Sequence, residues 1–193
     1  MAVRVVIAED EAIIRLDLKE ILEEEGYEVV GETGRGDEAV ELVKEHDPDL
    51  AILDIRMPGM DGLSAAREIA GERRSAVLIL TAYSQRNLIE EARDAGALAY
   101  LVKPFQRSEL IPAIEVALGR FSEMKALEKE VKGLEEELEA RKLVDRAKGM
   151  LMDKHKLSEN DAFAAIRTKA MELRVTLKIV AEQLLSGELT YPW

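Results

Sequence analysis

Residues 50–54, Leu50-Ala51-Ile52-Leu53-Asp54, form a short apolar run that ends at a carboxylate. Three other apolar runs have the same form, because each ends at or just before a chemically reactive side chain. They are residues 3–8 before Glu9 and Asp10, residues 76–80 before Thr81, and residues 97–102 before Lys103. A fifth run, residues 27–31, has no such ending. Short apolar runs separated by helical stretches are typical of parallel strands that are buried on both faces.

Amphipathic stretches with helical spacing lie between these runs. They cover about 12–25, 36–46, 62–71 and 85–95, and another begins near 107. In the first stretch we expect the apolar side chains of Ile13, Leu16, Ile21 and Leu22 to face the core. Five strand–helix repeats predict a parallel sheet covered by helices on both faces. Ligands bind such sheets beyond the carboxyl ends of the strands, where the reactive side chains stand.

The composition limits the class of protein. A chain of 193 residues has room for one domain of ordinary size and one small domain. Disulfides and thiolate chemistry are excluded because the chain contains no cysteine. The apolar runs are shorter than the roughly 18–20 residues that span a bilayer, and we find no signal-peptide pattern. We therefore expect a cytoplasmic protein with no membrane segment.

Charge is distributed unevenly along the chain. Residues 1–120 carry 14 basic and 25 acidic side chains, a net charge of −11. Residues 121–140 carry 3 and 7, a net charge of −4, and residues 141–193 carry 10 and 7, a net charge of +3. An acidic body joined to a basic tail is consistent with an anionic partner at the tail, although ordinary surface charge has the same appearance.

Glu9, Asp10 and Asp54 meet at one edge of the sheet if the strand assignments hold. Carboxylates packed so closely repel one another, and a divalent cation removes that repulsion. Mg²⁺ prefers a few carboxylates, a backbone carbonyl, waters and a phosphoryl oxygen. Lys103 adds a compact cation, and Thr81 adds a hydroxyl that can donate to a phosphoryl oxygen. An aspartate nucleophile beside Mg²⁺ and a lysine is the chemistry of an acyl-phosphate intermediate.

These residues resemble the receiver domain of two-component response regulators, and the resemblance covers residues 1–120. It implies an α/β, flavodoxin-like (βα)5 fold with a five-stranded parallel sheet. Asp54 matches the phosphoacceptor, which a sensor histidine kinase phosphorylates in that family. Glu9 and Asp10 match the acidic pair that holds Mg²⁺ together with Asp54 and a backbone carbonyl, here that of Arg56.

The same resemblance implies a switch. Lys103 and Thr81 match the lysine and the hydroxyl that contact the phosphoryl oxygens, and Pro104 matches a proline whose peptide bond is usually cis. Tyr100 matches the aromatic residue that changes rotamer when the hydroxyl moves. A receiver promotes its own phosphorylation and dephosphorylation, but we class the chain as a regulator and not as an enzyme.

Residues 121–140 extend the fifth helix of the receiver as a coiled-coil linker. From Met124 to Leu138 the apolar residues recur at alternating steps of three and four, which is coiled-coil spacing. In a parallel homodimer Glu130 would face Glu135 of the partner subunit and repel it. Two interpretations stand: a dimer that phosphorylation favours, or one long amphipathic helix that packs on its own chain.

Residues 141–193 predict the end of the long helix followed by two short helices, a small three-helix bundle. Ser158 can cap a helix that extends to about residue 173, and Thr176 can cap a last helix that ends at Gly187. We expect Phe163 to fill the core of the bundle. Tyr191 and Trp193 follow the last helix, where they can stack on a base or fray.

The string Ala147-Lys148-Gly149-Met150-Leu151-Met152 and the helices after it resemble the ANTAR domain, over about residues 124–190. In that family the output module binds RNA hairpins and relieves transcription termination. Proteins that bind RNA need cations for phosphates and flat groups for unstacked bases. The candidate RNA contacts are the basic residues Lys142, Arg146, Lys148, Arg167 and Arg174.

Two other outputs remain open on the sequence alone. The tail can be a DNA-binding helix-turn-helix, although about 50 residues that begin inside a coiled coil leave no recognition helix with a basic first turn. It can also be a docking module that binds only protein. A steep fall of nucleic-acid affinity with salt, reduced by Lys and Arg substitutions, would exclude the second output.

Overall fold

Five strands form the sheet of the protein, which we describe from a computed structural model covering residues 2–82 and 86–193. All neighbouring strands pair in parallel, in the order β2-β1-β3-β4-β5. This topology confirms the predicted flavodoxin-like sheet. The strands are β1 (Arg4–Ala8), β2 (Glu28–Thr33), β3 (Leu50–Asp54), β4 (Ala76–Thr81) and β5 (Ala99–Val102).

Seven helices are found in the described residues, at the positions that the apolar spacing predicts. The predicted start of the fourth helix, residue 85, lies outside the described residues. The helices are α1 (Ala12–Glu24), α2 (Gly36–His46), α3 (Gly62–Glu72), α4 (Arg86–Asp94), α5 (Arg107–His155), α6 (Glu159–Leu173) and α7 (Leu177–Ser186). The chain divides into two compact units, Met1–Lys125 and Ala126–Trp193, and α5 contributes to both.

Alternate side chains of the strands enter two separate cores in the first unit. Val6 and Ala8 of β1 pack with α2, α3 and α4, whereas Val5 and Ile7 pack with α1 and α5. A strand places successive side chains on opposite faces, so a central strand covered on both faces is apolar throughout. This packing explains the continuous apolar runs of the sequence.

The prediction for the buried face of α1 was partly wrong. Ile13 and Leu16 are 85% and 58% exposed, whereas Leu18 and Leu22 are fully buried. Leu18 and Leu22 are four residues apart and lie on one face of the helix, and Ile21 packs beside them. At 100° per residue, Ile13 and Leu16 fall outside this stripe.

The long helix α5 continues without a break through residues 121–140, as predicted. The four apolar seam residues Leu127, Val131, Leu134 and Leu138 are each more than half exposed. The interpretation that this seam packs on its own chain was therefore wrong for these residues. Met124, at the start of the seam, belongs to the first unit and packs against its core.

The second unit is a three-helix bundle of the end of α5, α6 and α7, which confirms that prediction. The Ser158 hydroxyl accepts from the amide of Asp161 at 3.2 Å and caps α6, and Thr176 caps α7 by accepting from Ile179 at 3.4 Å. Gly187 ends α7 with a φ of 84°. None of the described helices combines the length and the apolarity needed to cross a membrane.

The core position of Phe163 was predicted wrongly, because its side chain is 39% exposed. The buried stripe of α6 consists of Ala162, Ile166 and Ala170, which repeat every four residues. Phe163 follows Ala162 directly and so lies about 100° around the helix from it. Phe163 therefore lies beside the buried stripe and not in it.

Candidate functional site

Three carboxylates meet at the carboxyl edge of the sheet. Glu9 and Asp10 follow β1, and Asp54 is the last residue of the neighbouring strand β3. Glu9 is fully buried, Asp54 is 5% exposed and Asp10 is exposed. One carboxylate oxygen of each residue lies within 4.8 Å of the other two. The structure therefore brings together the three acidic residues that the strand ends predicted to be neighbours.

Lys103, which follows β5, reaches into this cluster from the other side. Its ammonium nitrogen lies 2.6 Å from Glu9 Oε2 and 3.1 Å from Asp54 Oδ1. The backbone amide of Lys103 donates to the carbonyl of Thr81 at 2.7 Å, which fixes the lysine to the end of β4. The Lys103–Pro104 peptide bond is cis.

Burial raises the pKa of both Glu9 and Asp54. The hydrogen bond and the charge of Lys103 lower these pKa values but only partly offset burial, and at Glu9 the charge of Asp54 adds to the rise. Burial disfavours the charged form of Lys103, but the hydrogen bond to Glu9 and the charge of Asp54 outweigh it and raise the pKa of Lys103. One ammonium thus compensates the carboxylates only in part.

The loop after β3 folds back against Asp54. The amide of Arg56 donates to Asp54 Oδ2 at 3.2 Å, and the amide of Gly62 donates to the carbonyl of Ile55 at 2.9 Å. A Cβ atom at Gly62 would lie only 1.8 Å from the backbone oxygen of Asp54, so only glycine fits this closure. Asp61 caps α3 by accepting from Ser64 at 2.9 Å. The backbone of Arg56 is thus held beside the acidic cluster.

Thr81 and Tyr100 form a pair on neighbouring strands. Thr81 is fully buried at the end of β4, and a hydrogen bond joins its hydroxyl to that of Tyr100 on β5. Burial raises the pKa of Tyr100, and the bond to Thr81 works in the opposite direction. Tyr100 also packs against the core formed with α2, α3 and α4. A displacement of Thr81 would therefore change the contacts of the half-buried Tyr100 side chain.

Arg15 is a site residue that the sequence analysis missed. Its guanidinium, one turn into α1, donates a hydrogen bond to the backbone carbonyl of Glu9. The same guanidinium lies next to Gly34, after β2. The bond fixes the backbone of the acidic pair. A single arginine on an amphipathic helix carries no spacing signal that distinguishes it from a surface residue.

The donor set fits Mg²⁺. All the available ligands are oxygens, which this hard cation prefers. Three carboxylates opposed by one ammonium leave two negative charges, which one divalent cation balances. Two of the carboxylates are buried, so the unbalanced charge cannot be dispersed by solvent.

The basic residues predicted to contact RNA lie in the second unit. Lys142, Arg146, Arg167 and Arg174 are exposed, and within the described part of the chain no ion pair joins them to a carboxylate within 4.0 Å. Lys148 differs because only 17% of its side chain is exposed. Its ammonium lies 2.8 Å from Asp145 and 3.0 Å from Glu159, so it links α5 to α6.

A parallel (βα)5 sheet with this acidic edge, a lysine on a cis-proline bond and a Thr–Tyr pair defines the receiver class of regulatory domains. A family model of the response regulator receiver domain matches residues 5–115. The chemotaxis protein CheY of Bacillus subtilis is 41% identical over 120 residues, which are 62% of this chain and 100% of CheY. Among solved structures, the CheX–CheY–BeF3–Mg²⁺ complex of Borrelia burgdorferi matches with a TM-score of 0.56 and 27% identity, over 58% of this chain and 86% of that chain.

The second unit defines the member of that class. A family model of the ANTAR domain matches residues 132–185. The transcriptional regulatory protein PdtaR of Mycobacterium tuberculosis is 61% identical over 182 residues, which are 94% of this chain and 89% of PdtaR. The chain belongs to the response regulators with an ANTAR output domain, an RNA-binding module of transcription antitermination. These families are regulatory and not enzymatic.

Proposed function

We propose that Asp54 accepts a phosphoryl group from a sensor histidine kinase, and that phosphorylation controls the binding of RNA hairpins by residues 141–193. The observation that carries the proposal is the placement of the Asp54 carboxylate. It lies at the end of a strand, 3.1 Å from the ammonium of Lys103 and beside Glu9 and Asp10. A nucleophilic carboxylate next to a compact cation is suited to attack phosphorus.

Mg²⁺ is the proposed cofactor, held by Glu9, Asp10, Asp54 and the backbone carbonyl of Arg56. When bound, it supplies a Lewis acid for a phosphoryl oxygen. The all-oxygen donor set and its two unbalanced negative charges support this choice. The presence of Mg²⁺ in the complex that contains CheY of Borrelia burgdorferi supports it as well.

In the transfer step an oxygen of Asp54 forms a new bond to phosphorus, and the bond from phosphorus to the kinase imidazole nitrogen breaks. The imidazole keeps that electron pair and takes up a proton from water. Lys103 stabilises the negative charge of the phosphoryl oxygens, and the Thr81 hydroxyl donates to one of them. Thr81 then gives up its hydrogen bond with Tyr100, whose ring changes rotamer.

Labelling with acetyl phosphate tests the assignment of Asp54. Acetyl phosphate should label the wild-type protein when Mg²⁺ is present and leave Asp54→Asn unlabelled, because the amide lacks the nucleophilic oxygen anion. Chelation of Mg²⁺ should abolish labelling of the wild type. Asp94→Asn, a change at an exposed aspartate of α4, is the matched control and should label normally. Undiminished labelling of Asp54→Asn would exclude Asp54 as the acceptor.

For the output we propose three segments: a receiver in residues 1–120, a coiled-coil linker in 121–140 and the RNA-binding domain in 141–193. The exposed apolar seam of the linker supports a homodimer that forms on phosphorylation and presents two tails to RNA. Because bacterial transcripts are made in the cytoplasm, we propose that compartment as the place of action. Competition between an RNA hairpin and duplex DNA of equal charge, at one salt concentration, tests the choice of RNA.

A further inference from the structure

One exposed face of α6 combines apolar and basic side chains in alternation. Phe163, Arg167, Met171 and Arg174 follow one another at steps of four, four and three residues, so they lie along one side of the helix and its cap. Phe163 is 39% exposed and Met171 is 73% exposed. Among the residues that the structure describes, Arg167 and Arg174 have no carboxylate within 4.0 Å. We call these four residues the α6 stripe.

We propose that the α6 stripe holds an unpaired base of the RNA hairpin, with the ring of Phe163 stacked on the base and the guanidinium groups of Arg167 and Arg174 on the flanking phosphates. This inference rests on the RNA-binding output and names the surface and the element of the RNA that it recognises. Single-stranded RNA is bound by stacking on aromatic side chains next to cations. Along the α6 stripe, an aromatic ring and guanidinium groups lie next to one another in the same way.

The charges around the stripe favour a polyanion over a protein partner. Asn160, which falls between these side chains around α6, carries no charge, and the acidic residues Asp161 and Glu172 point elsewhere around the helix. Glu159, four residues before Phe163, lies on the same side, but its carboxylate is paired with the ammonium of Lys148 at 3.0 Å. Residues 141–193 have a net charge of +3, whereas the whole chain has −12. Two guanidinium groups without carboxylate partners therefore stand in the one basic region of an acidic protein.

Stacking on Phe163 predicts selectivity for a loop over a duplex, because bases inside a duplex are already stacked on one another. The arginines act on phosphates, which both forms of RNA carry, so they contribute to binding of either form. Removal of the ring and removal of a charge should therefore have different signatures. Removal of the ring lowers the affinity for the hairpin alone. Removal of an arginine charge lowers the affinity for the hairpin and for the duplex, and it makes the salt dependence of binding shallower.

The test uses the full-length phosphorylated protein and a stem–loop RNA that the wild type selects from a pool with randomised loops. Phe163→Ala should weaken binding of this RNA by about tenfold or more, and binding of a duplex of equal charge should be unchanged. Phe163→Trp should keep the affinity, because the indole ring also stacks. Leu173→Ala is the matched control, since Leu173 is an apolar side chain of α6 that is 46% exposed and lies off the stripe.

Arg174→Gly provides a variant in which folding and binding change in opposite directions. Arg174 has a φ of 55°, which glycine adopts more easily than arginine, so this change should preserve or raise the melting temperature. It should nevertheless weaken binding of both the hairpin and the duplex and make the salt dependence shallower. Unchanged RNA affinity in Arg174→Gly would remove Arg174 from the proposed surface.

Fluorescence gives a direct readout of stacking because the chain has a single tryptophan, Trp193. Phe163→Trp combined with Trp193→Phe moves this probe into the stripe, and the selected hairpin should quench it whereas the duplex should not. The proposal is overturned if Phe163→Ala binds the hairpin as the wild type does, or loses hairpin and duplex equally. It is also overturned if Phe163→Ala keeps its affinity for the hairpin and loses affinity only for anionic lipid vesicles. Failure of the wild type to select any RNA would instead refute the RNA-binding output.

Discussion

Lys103 is the residue on which the balance of charge in the acidic pocket depends. Its ammonium lies between two nearly buried carboxylates, and removal of one partner of such a cluster leaves the others uncompensated. We expect Lys103→Met to lower the free energy of unfolding by about 3 kcal/mol at neutral pH, measured by urea denaturation without Mg²⁺.

The matched background for this change is Asp54→Asn, in which one of the two buried charges is already absent. In that background Lys103→Met should lower the free energy of unfolding by clearly less, since only Glu9 is left without its partner. An equal cost in both backgrounds would mean that Lys103 stabilises the protein through packing and not through its charge.

The acidic cluster was predictable from the sequence because each residue stands at the end of a short apolar run that is typical of a buried parallel strand. Glu9, Asp10 and Asp54 then meet because strand ends share one edge of a parallel sheet. Arg15 was not predictable, since its contact is with a backbone carbonyl and depends on the angle at which α1 leaves β1. Phe163 was wrongly assigned to the core, because the buried stripe of α6 follows Ala162 and Ala170 and Phe163 lies about 100° around the helix from Ala162.

At the scale of elements, a hydrogen bond connects α5 to the start of β2. The hydroxyl of Tyr27 donates to Glu115 Oε1 at 2.8 Å. Burial and then the bond to Glu115 raise the pKa of Tyr27 from 10.0 to about 12. A folded-state pKa above the unfolded one means that this stabilisation is complete below pH 10 and is lost as the pH rises through 12.

Tyr27→Phe should therefore be less stable than the wild type at about pH 8, and the difference should shrink toward zero near pH 12. Urea denaturation of both proteins across this range measures the effect, and the variant corrects for every other group that titrates there. Two stability curves that remain parallel from pH 8 to pH 12 would show that the bond does not contribute as described.

The elements themselves were predicted well because short continuous apolar runs alternate in this chain with longer stretches of helical spacing. The capping residues Ser158 and Thr176 marked the starts of α6 and α7, where their hydroxyls accept hydrogen bonds from backbone amides. The orientation of α1 was less predictable. Ile13 and Leu16 are apolar but exposed, and apolar residues on more than one side of a helix leave its buried face ambiguous.

At the scale of the whole molecule, the exposed seam of α5 is the proposed dimer contact. In a parallel dimer Glu130 faces Glu135 of the partner subunit, so Glu130→Lys converts two symmetric repulsions into attractions. We expect the dissociation constant of the unphosphorylated dimer to fall about fivefold in sedimentation experiments, and RNA affinity to rise with it. Glu137 is left unchanged because it already faces Lys142 of the partner subunit.

Glu136→Lys is the matched control, since it makes the same change of charge at a position that faces solvent in the dimer. The dissociation constant of its dimer should stay near that of the wild type. More dimer in Glu130→Lys without a gain in RNA affinity would mean that dimerisation is not the transmitted signal. Release of the output domain by the receiver would then be the better explanation.

We propose that phosphorylation at Asp54 is transmitted through Thr81 to the RNA-binding domain. The most direct measurement is the affinity of the wild type and of Thr81→Ala for a selected RNA hairpin, before and after equal labelling by acetyl phosphate. Labelling should raise the affinity of the wild type and raise that of Thr81→Ala much less, because alanine cannot donate to the phosphoryl group. An equal rise in both proteins, or no rise in the wild type, would contradict it.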